Sequence, residues 1–134
     1  MSDALYQDEI LARAKDATHA GRLDGPAKTA TLDNPLCGDR VTLDFALDGG
    51  RISAVRHFVR GCALCKASAA TLAAELEGKT AAEVAAAGTA LDGVLAGSGP
   101  ADSPWRAFSP VGKHKSRHDC VRLPVAAARA AFEA

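Results

Sequence analysis

Aromatic residues are scarce in this sequence: its 134 residues include one Trp, one Tyr and four Phe. Lys plus Arg and Asp plus Glu number 16 each, so there is no excess of one charge to attract nucleic acid or an anionic membrane. No apolar run approaches the roughly 18 residues of a transmembrane helix, and the opening Met1-Ser2-Asp3 lacks the basic start of a signal peptide. We therefore expect a cytoplasmic protein without a nucleic-acid or membrane partner.

The sequence does contain enough apolar material for one core. Hydrophobic residues make up 48% of the chain, which at this length predicts a single domain over residues 1–134. Alternating apolar and polar residues, together with the turn signal Asp48-Gly49-Gly50, predict a hairpin preceded by a short strand. The predicted strands are Thr29–Leu32, Val41–Leu47 and Arg51–Arg60. We predict an α+β fold, in which a small three-stranded antiparallel sheet carries helices packed on one face.

Helical periodicity is found on both sides of the predicted sheet. The spacing of apolar residues predicts a first helix over Asp3–Ala20 and a second that begins after Cys62. The residues from Pro110 to Lys115 are expected to form a loop, and an Ala-rich final helix is expected over Cys120–Phe132.

The four cysteines and one aspartate carry the main chemical signal. Cys37-Gly38-Asp39 lies on the loop that enters the hairpin, and Cys62 lies where the second hairpin strand ends, so these ends are expected side by side. With Cys120 they complete a set of three thiolates and one carboxylate, which predicts a metal site. Thiolates bind zinc or iron tightly, and one oxygen ligand adds a weaker bond that can open. Without an export signal, reduced thiols are favoured over disulfides.

The predicted positions of these thiols also suggest reactivity. Cys62 and Cys120 are both expected at helix N-termini, where backbone N–H groups favour a negative sulfur and lower the thiol pKa. Cys37, on a glycine-flanked loop, is expected to be the most mobile ligand and the one that leaves the metal to accept sulfur. Arg117 is either a solvated surface charge or a catalytic residue that lowers a thiol pKa or pairs with Asp39 when no metal is bound.

Several alternatives remain open at the residue level. Three unrelated buried cysteines and a turn-forming Asp39 would make no site at all. Asp119 is a second candidate carboxylate, and His118 is a candidate imidazole ligand. Cys65, in Cys62-x-x-Cys65, is compatible with a spare ligand, a resolving thiol or a buried small hydrophobe. A purely structural zinc module would normally show a second Cys-x-x-Cys pair, which the sequence lacks.

Three motifs in a fixed order resemble those of the U-type iron-sulfur assembly proteins, namely IscU, SufU and the N-terminal domain of NifU. The likeness extends from about Leu5 to the C-terminus. The motifs are Asn34-Pro35-x-Cys37-Gly38-Asp39, then Gly61-Cys62-Ala63-Leu64 with Ala67-Ser68, and Arg117-x-x-Cys120 with Leu123-Pro124. The resemblance implies that Cys37, Asp39, Cys62 and Cys120 bind the metal.

Within this family the chain looks more like the SufU branch. An extra segment, roughly Ala90 to Trp105, lies between Cys62 and Cys120, and Asp119 occupies the place where IscU-type proteins have a histidine. The resemblance implies a Zn²⁺-bound sulfur carrier that takes persulfide sulfur from a cysteine desulfurase using pyridoxal phosphate and supplies downstream iron-sulfur assembly proteins. It leaves open whether the protein acts as a zinc-dependent sulfurtransferase enzyme. The alternative is a scaffold that assembles a transient [2Fe-2S] cluster on the same ligands.

Overall fold

A computed structural model describes residues 8–35, 38–100 and 102–133 of the protein. It shows a three-stranded antiparallel sheet with helices packed against it, and the predicted α+β fold is confirmed. In chain order the elements are α1 (Asp8–Lys15), β1 (Lys28–Asn34), β2 (Asp39–Asp48), β3 (Arg51–Arg60), α2 (Ala63–Leu76), α3 (Ala82–Leu95), two 3-10 helices (Arg106–Lys113 and Lys115–Arg117) and α4 (His118–Glu133).

The strands follow one another as a meander in the order β1-β2-β3. The turn between β2 and β3 consists of Gly49 and Gly50, whose φ angles of 59° and 83° are costly for other residues, so the glycine pair permits a tight hairpin. The register pairs Asn34 with Asp39 and Arg40 with Arg60. The start of β2 therefore lies beside the end of β3.

One face of the sheet holds the core. Val41, Leu43 and Phe45 of β2 are fully buried, α4 packs on β1 and β2, and α2 packs on β3. Near the end of α4 the ring of Phe132 contacts Phe45, with centroids 4.8 Å apart. Helix α2 is rich in alanine and buried along most of its length, so small side chains let it pack closely between β3, α1 and α4. Its first residue is thereby held at the edge where β2 starts.

Some predicted boundaries were wrong. In the described part of the first helix, α1 ends at Lys15 instead of Ala20. The side chain of Asp16 accepts hydrogen bonds from the N–H and hydroxyl of Thr18, which favours a turn over further helix. Pro110 to Lys115, predicted as loop, belongs almost entirely to the two 3-10 helices. None of the helices in the described residues is both long and apolar enough to cross a membrane.

Asp44 fixes the outer face of the sheet. Its carboxylate is fully buried and accepts hydrogen bonds from Arg22 Nε at 2.6 Å, Thr29 Oγ1 at 2.6 Å and the backbone N–H of Leu23 at 3.0 Å. Burial alone would raise the pKa of Asp44, but these hydrogen bonds outweigh it and the pKa is lowered. The negative charge of Asp44 is therefore fully compensated, and it anchors residues 22–23 to the sheet.

His57 of β3 is also a buried polar residue, but unlike Asp44 its side chain is not fully hydrogen-bonded in the described part of the chain. The backbone N–H of Gly21 donates to the carbonyl of His57, and the N–H of His57 donates to the carbonyl of His19. The ring Nε2 of His57 has no hydrogen-bond partner among the described residues. Burial lowers the pKa of His57, and the positive charges of His19 and Arg56 lower it further. The folded protein therefore favours the neutral form of the His57 imidazole.

We predict that His57 makes the protein less stable in mild acid. Because its pKa is lower in the folded state than in the unfolded state, the unfolded chain takes up the proton first, and stability falls as the pH drops below about 6.5. In urea denaturation between about pH 8 and pH 5, His57→Leu should lose less unfolding free energy than the unsubstituted protein. The exposed His114 provides the control, since His114→Leu should keep the original profile. An identical pH profile for His57→Leu would contradict this assignment.

Candidate metal site

Three separate elements bring Asp39, Cys62 and Cys120 together. Asp39 is the first residue of β2, Cys62 is the N-cap residue of α2, and Cys120 lies in the first turn of α4. One carboxylate oxygen and the two sulfur atoms all lie within 4.8 Å of one another. Asp39 and Cys120 are buried and Cys62 is half-buried. Three potential metal ligands, distant along the chain, thus share one small volume.

Direct contacts join Asp39 to Cys62. The backbone N–H of Cys62 donates to Asp39 Oδ1 at 3.0 Å, and the Cys62 thiol donates to Asp39 Oδ2 at 3.5 Å. Since β2 starts beside the end of β3, the chain reaches Cys62 two residues after β3 ends and meets the carboxylate there. The sheet register therefore determines this half of the site.

The spacing of these atoms fits a tetrahedral zinc ion. Zinc bonds of about 2.3 Å to sulfur and about 2.1 Å to oxygen place a sulfur and an oxygen ligand about 3.6 Å apart, and two sulfurs about 3.8 Å apart. The observed distance between Cys62 Sγ and Asp39 Oδ2 is 3.5 Å. Asp39 and Cys62 therefore have the spacing of two ligands of one zinc ion, and Cys120 Sγ lies within 4.8 Å of both.

The burial of the Asp39 carboxylate also favours a bound cation at this site. Asp39 is only 2% exposed, yet it forms no ion pair with any Lys, Arg or His of the described residues. Asp44, which is equally buried on the same strand, has Arg22 as its cationic partner. Buried carboxylates are normally paired with a cation or bound to a metal. Among the described residues, therefore, none supplies the positive charge that would balance the Asp39 carboxylate.

The predicted lowering of the Cys62 pKa was wrong for the metal-free site. Burial raises the pKa of Cys62, and the adjacent negative charge of Asp39 raises it further. The N–H of Cys65, at the start of α2, and the thiol of Cys120 donate hydrogen bonds that oppose this rise without cancelling it. The N-terminus of the helix therefore acts on Cys62 as predicted, but desolvation outweighs it and the pKa of Cys62 is raised.

The structure does not test every predicted ligand. Cys37 lies outside the described residues, so its place in the site stays a prediction. Asp119 is exposed and is not grouped with the three converging ligands. His118 is held elsewhere, because its Nε2 lies 3.2 Å from the carbonyl oxygens of Val111 and Gly112 and donates to the backbone there. Cys65 is fully buried in the hydrophobic core.

Arg117 forms no ion pair with Asp39 in this structure. Its side chain is exposed and forms no ion pair with the described residues, while the Asp39 carboxylate is bonded to Cys62. A catalytic role for Arg117 stays a prediction.

Sequence reasoning missed the contribution of Ser68 to this geometry. Ser68 is fully buried on α2, and its hydroxyl donates to the carbonyl of Val121 at 2.5 Å. This bond ties α2 to α4 beside Cys120, and so helps to fix the distance between Cys120 and Cys62. A serine in the alanine-rich stretch of α2 was the available signal, but its partner depends on how the two helices pack.

Comparison with known proteins gives the family. Residues 5–98 match the model of the NifU-like N-terminal domain. This match includes Cys37, Asp39 and Cys62 but ends before Cys120, so the position of Cys120 beside the other ligands is a separate observation from the structure.

Individual relatives agree with this match. A zinc-dependent sulfurtransferase SufU from Bacillus subtilis is 31% identical over 77 residues, which are 58% of this chain and 52% of that protein. The chain thus spans about half the length of this curated relative. The crystal structure of a NifU-like protein (N-terminal) from Brucella abortus is similar with a TM-score of 0.88 and 32% identity, covering 98% of this chain and 94% of the other.

A third relative is a protein from the thermophile Fervidobacterium islandicum, proposed as an iron-sulfur cluster assembly scaffold for the SUF system. Its structure is similar with a TM-score of 0.90 and 27% identity, covering 98% of this chain and 99% of the other. The fold, the order of the motifs and the family match agree, and the resemblance seen in the sequence is confirmed. The chain belongs to the NifU-like N-terminal domain family.

Proposed function

We propose that the protein is an iron-sulfur cluster assembly protein that binds one zinc ion and accepts sulfur from a cysteine desulfurase. The proposed ligands are Cys37, Asp39, Cys62 and Cys120. The observation that carries the proposal is the buried Asp39 carboxylate, which converges with two thiols and lacks a cationic partner in the described residues. The similarity to a protein named as a zinc-dependent sulfurtransferase supports zinc as the cation.

Each part of the chain has a distinct task in this proposal. Zinc, when bound, supplies a positive charge that favours the thiolate form of its cysteine ligands. Asp39 and Cys62 are held by the sheet and by α2, and Cys120 by α4, so these ligands form the rigid part of the site. Cys37 is proposed as the sulfur acceptor, because the sequence predicts that it lies on a glycine-flanked loop before Asp39.

The proposed transfer requires no external oxidant or reductant. The Cys37 thiolate attacks the outer sulfur of the persulfide on the donor's cysteine, and a new sulfur–sulfur bond forms as the donor's bond breaks. The donor cysteine leaves as a thiolate, so the persulfide passes from one protein to the other. Arg117, which is exposed and three residues before Cys120, is proposed to assist by attracting an anionic group of the donor.

A scaffold for a [2Fe-2S] cluster is the second candidate function, because thiolates with one oxygen ligand suit that cargo as well. The similarity to the protein from Fervidobacterium islandicum supports it. Metal analysis of protein purified without added metal separates the two functions. About one zinc per chain, retained during anaerobic incubation with iron and sulfide, would support the carrier. Iron with sulfide in the purified protein, or a stable visible chromophore after reconstitution, would support the scaffold.

The acceptor role of Cys37 leads to a prediction for sulfur transfer. In the presence of the cysteine desulfurase and its substrate cysteine, Cys37→Ala should accept almost no sulfur, because the attacking thiolate is gone. Cys65→Ala is the matched control, since Cys65 is buried in the core and is not grouped with the ligands. Persulfide on the protein is measured by mass spectrometry after alkylation. Normal sulfur transfer to Cys37→Ala would show that another residue is the acceptor.

Zinc binding should depend on pH because it displaces protons. Since the pKa of Cys62 is raised, this residue is protonated between pH 6 and pH 8 and must release its proton to bind the metal. The apparent zinc affinity should therefore fall about tenfold per pH unit, for each proton released, as the pH is lowered from about 8 to about 6. Calorimetry in buffers with different ionisation enthalpies counts the protons. A zinc affinity that does not vary with pH in this range would contradict the assignment of Cys62 as a thiolate ligand.

A further inference from the structure

Gly61, between β3 and Cys62, is where the chain passes closest to the Asp39 carboxylate. A Cβ atom at residue 61 would overlap Asp39 Oδ1 and would lie 2.6 Å from Asp39 Cγ and 3.0 Å from Asp39 Cβ. Protein Cβ atoms essentially never approach other atoms this closely, so an alanine at this position would displace the carboxylate or the backbone. Only a residue without a side chain leaves room for Asp39 as it is observed.

Backbone conformation does not explain this glycine. Gly49 and Gly50 have positive φ angles that favour glycine, whereas Gly61 is not among the glycines with positive φ. An L-residue could therefore adopt the backbone conformation of Gly61 without strain. What excludes other residues at position 61 is the contact with Asp39 alone.

The Asp39 carboxylate occupies the space above Gly61, and a hydrogen bond from the next residue orients it there. With the carboxylate over residue 61, Oδ1 accepts the N–H of Cys62 at 3.0 Å, which leaves Oδ2 directed at Cys62 Sγ. Because the backbone N–H occupies Oδ1, Oδ2 is the oxygen that faces the position between the ligands. The orientation of the proposed oxygen ligand thus depends on the missing side chain.

We propose that Gly61 is a positioning residue of the metal site, which lets the Asp39 carboxylate lie over the backbone and present Oδ2 to the cation. This inference rests on the proposed function, in which Asp39 binds the metal. In Gly61→Ala the carboxylate has to rotate away, and it loses both the Cys62 N–H and its place beside Cys62 Sγ. Gly61→Ala would then bind zinc through the cysteine ligands without the Asp39 carboxylate.

The test is a double-mutant cycle on zinc affinity, with Gly61→Ala, Asp39→Ala and the double variant compared with the unsubstituted protein by competition with a chromophoric chelator. Gly61→Ala should weaken zinc binding by about 10- to 100-fold when Asp39 is present. It should change affinity by less than about threefold in the Asp39→Ala background, where the space above residue 61 is free. An equal loss in both backgrounds, or no loss in Gly61→Ala when Asp39→Ala itself weakens zinc binding, would overturn the proposal.

Hydrogen exchange of the Cys62 amide tests the role of Gly61 without bound metal. In the metal-free protein the N–H of Cys62 is bonded to Asp39, so its hydrogen exchange should be faster in Gly61→Ala, by the same factor as in Asp39→Ala. If Asp39→Ala leaves zinc affinity unchanged, the proposed ligand role of Asp39 fails, and the exchange rate alone decides on Gly61. Unchanged exchange of the Cys62 amide in Gly61→Ala would overturn the positioning role.

A matched glycine controls for the added methyl group. Gly88 lies on α3, and a Cβ there would meet only Val125 Cγ1, at 3.2 Å. Gly88→Ala should keep the zinc affinity and the Cys62 exchange rate of the unsubstituted protein. Thermal unfolding of each metal-free variant shows whether it is folded, and the zinc affinities are compared among the folded variants. If Gly88→Ala weakened zinc binding as much as Gly61→Ala, the effect would not be specific to the Asp39 contact.

Discussion

One buried carboxylate, that of Asp39, pairs with no cation among the residues that the structure describes, and the site is built around it. Asp39 is held by the N–H and thiol of Cys62 and lies close to the sulfur of Cys120. A carboxylate is costly to bury without a positive partner. The fold nevertheless keeps Asp39 in the interior and places two thiols beside it, which is the arrangement that a soft divalent cation would complete.

The same strand shows how the fold treats a carboxylate with a structural task. Asp44 is as buried as Asp39, but Arg22, Thr29 and the N–H of Leu23 satisfy it, and its pKa is lowered. Asp44 joins a connecting segment to the outer face of the sheet, whereas Asp39 faces two sulfur atoms. Two aspartates that look similar in sequence thus differ in which partners the fold supplies, and this difference separates a structural carboxylate from a candidate ligand.

The sheet and the grouping of Asp39, Cys62 and Cys120 were predictable from the sequence, but the surroundings of these three residues were not. The hairpin followed from alternating apolar residues and the Gly49-Gly50 turn, because both signals are local. The raised pKa of Cys62 was missed because burial and the nearness of Asp39 outweigh the effect of the helix N-terminus, and burial depends on tertiary packing. The close approach of Asp39 to Gly61 depends on the register of β2 and β3, which shifts at Ala46 and Leu47, and the alternating pattern gave no sign of this irregularity.

Two anchors connect the fold to the proposed chemistry. The register of β2 and β3 holds Asp39 against Cys62, and the hydrogen bond from Ser68 to Val121 holds α4, with Cys120, against α2. Both anchors involve buried residues of the sheet and helices, so Asp39, Cys62 and Cys120 are positioned by the packing of the fold. This arrangement suits the proposed function, in which Cys37, predicted to precede β2 on a loop, is the ligand released to accept sulfur.

The most direct measurement is X-ray absorption spectroscopy at the zinc edge of the zinc-loaded protein. The account predicts a first shell of three sulfur atoms at about 2.3 Å and one oxygen atom at about 2.0 Å. It also predicts that Asp39→Ala keeps the three sulfur atoms. A shell of four sulfur atoms, with Cys65 in place of Asp39, or a shell of nitrogen and oxygen ligands alone, would contradict it.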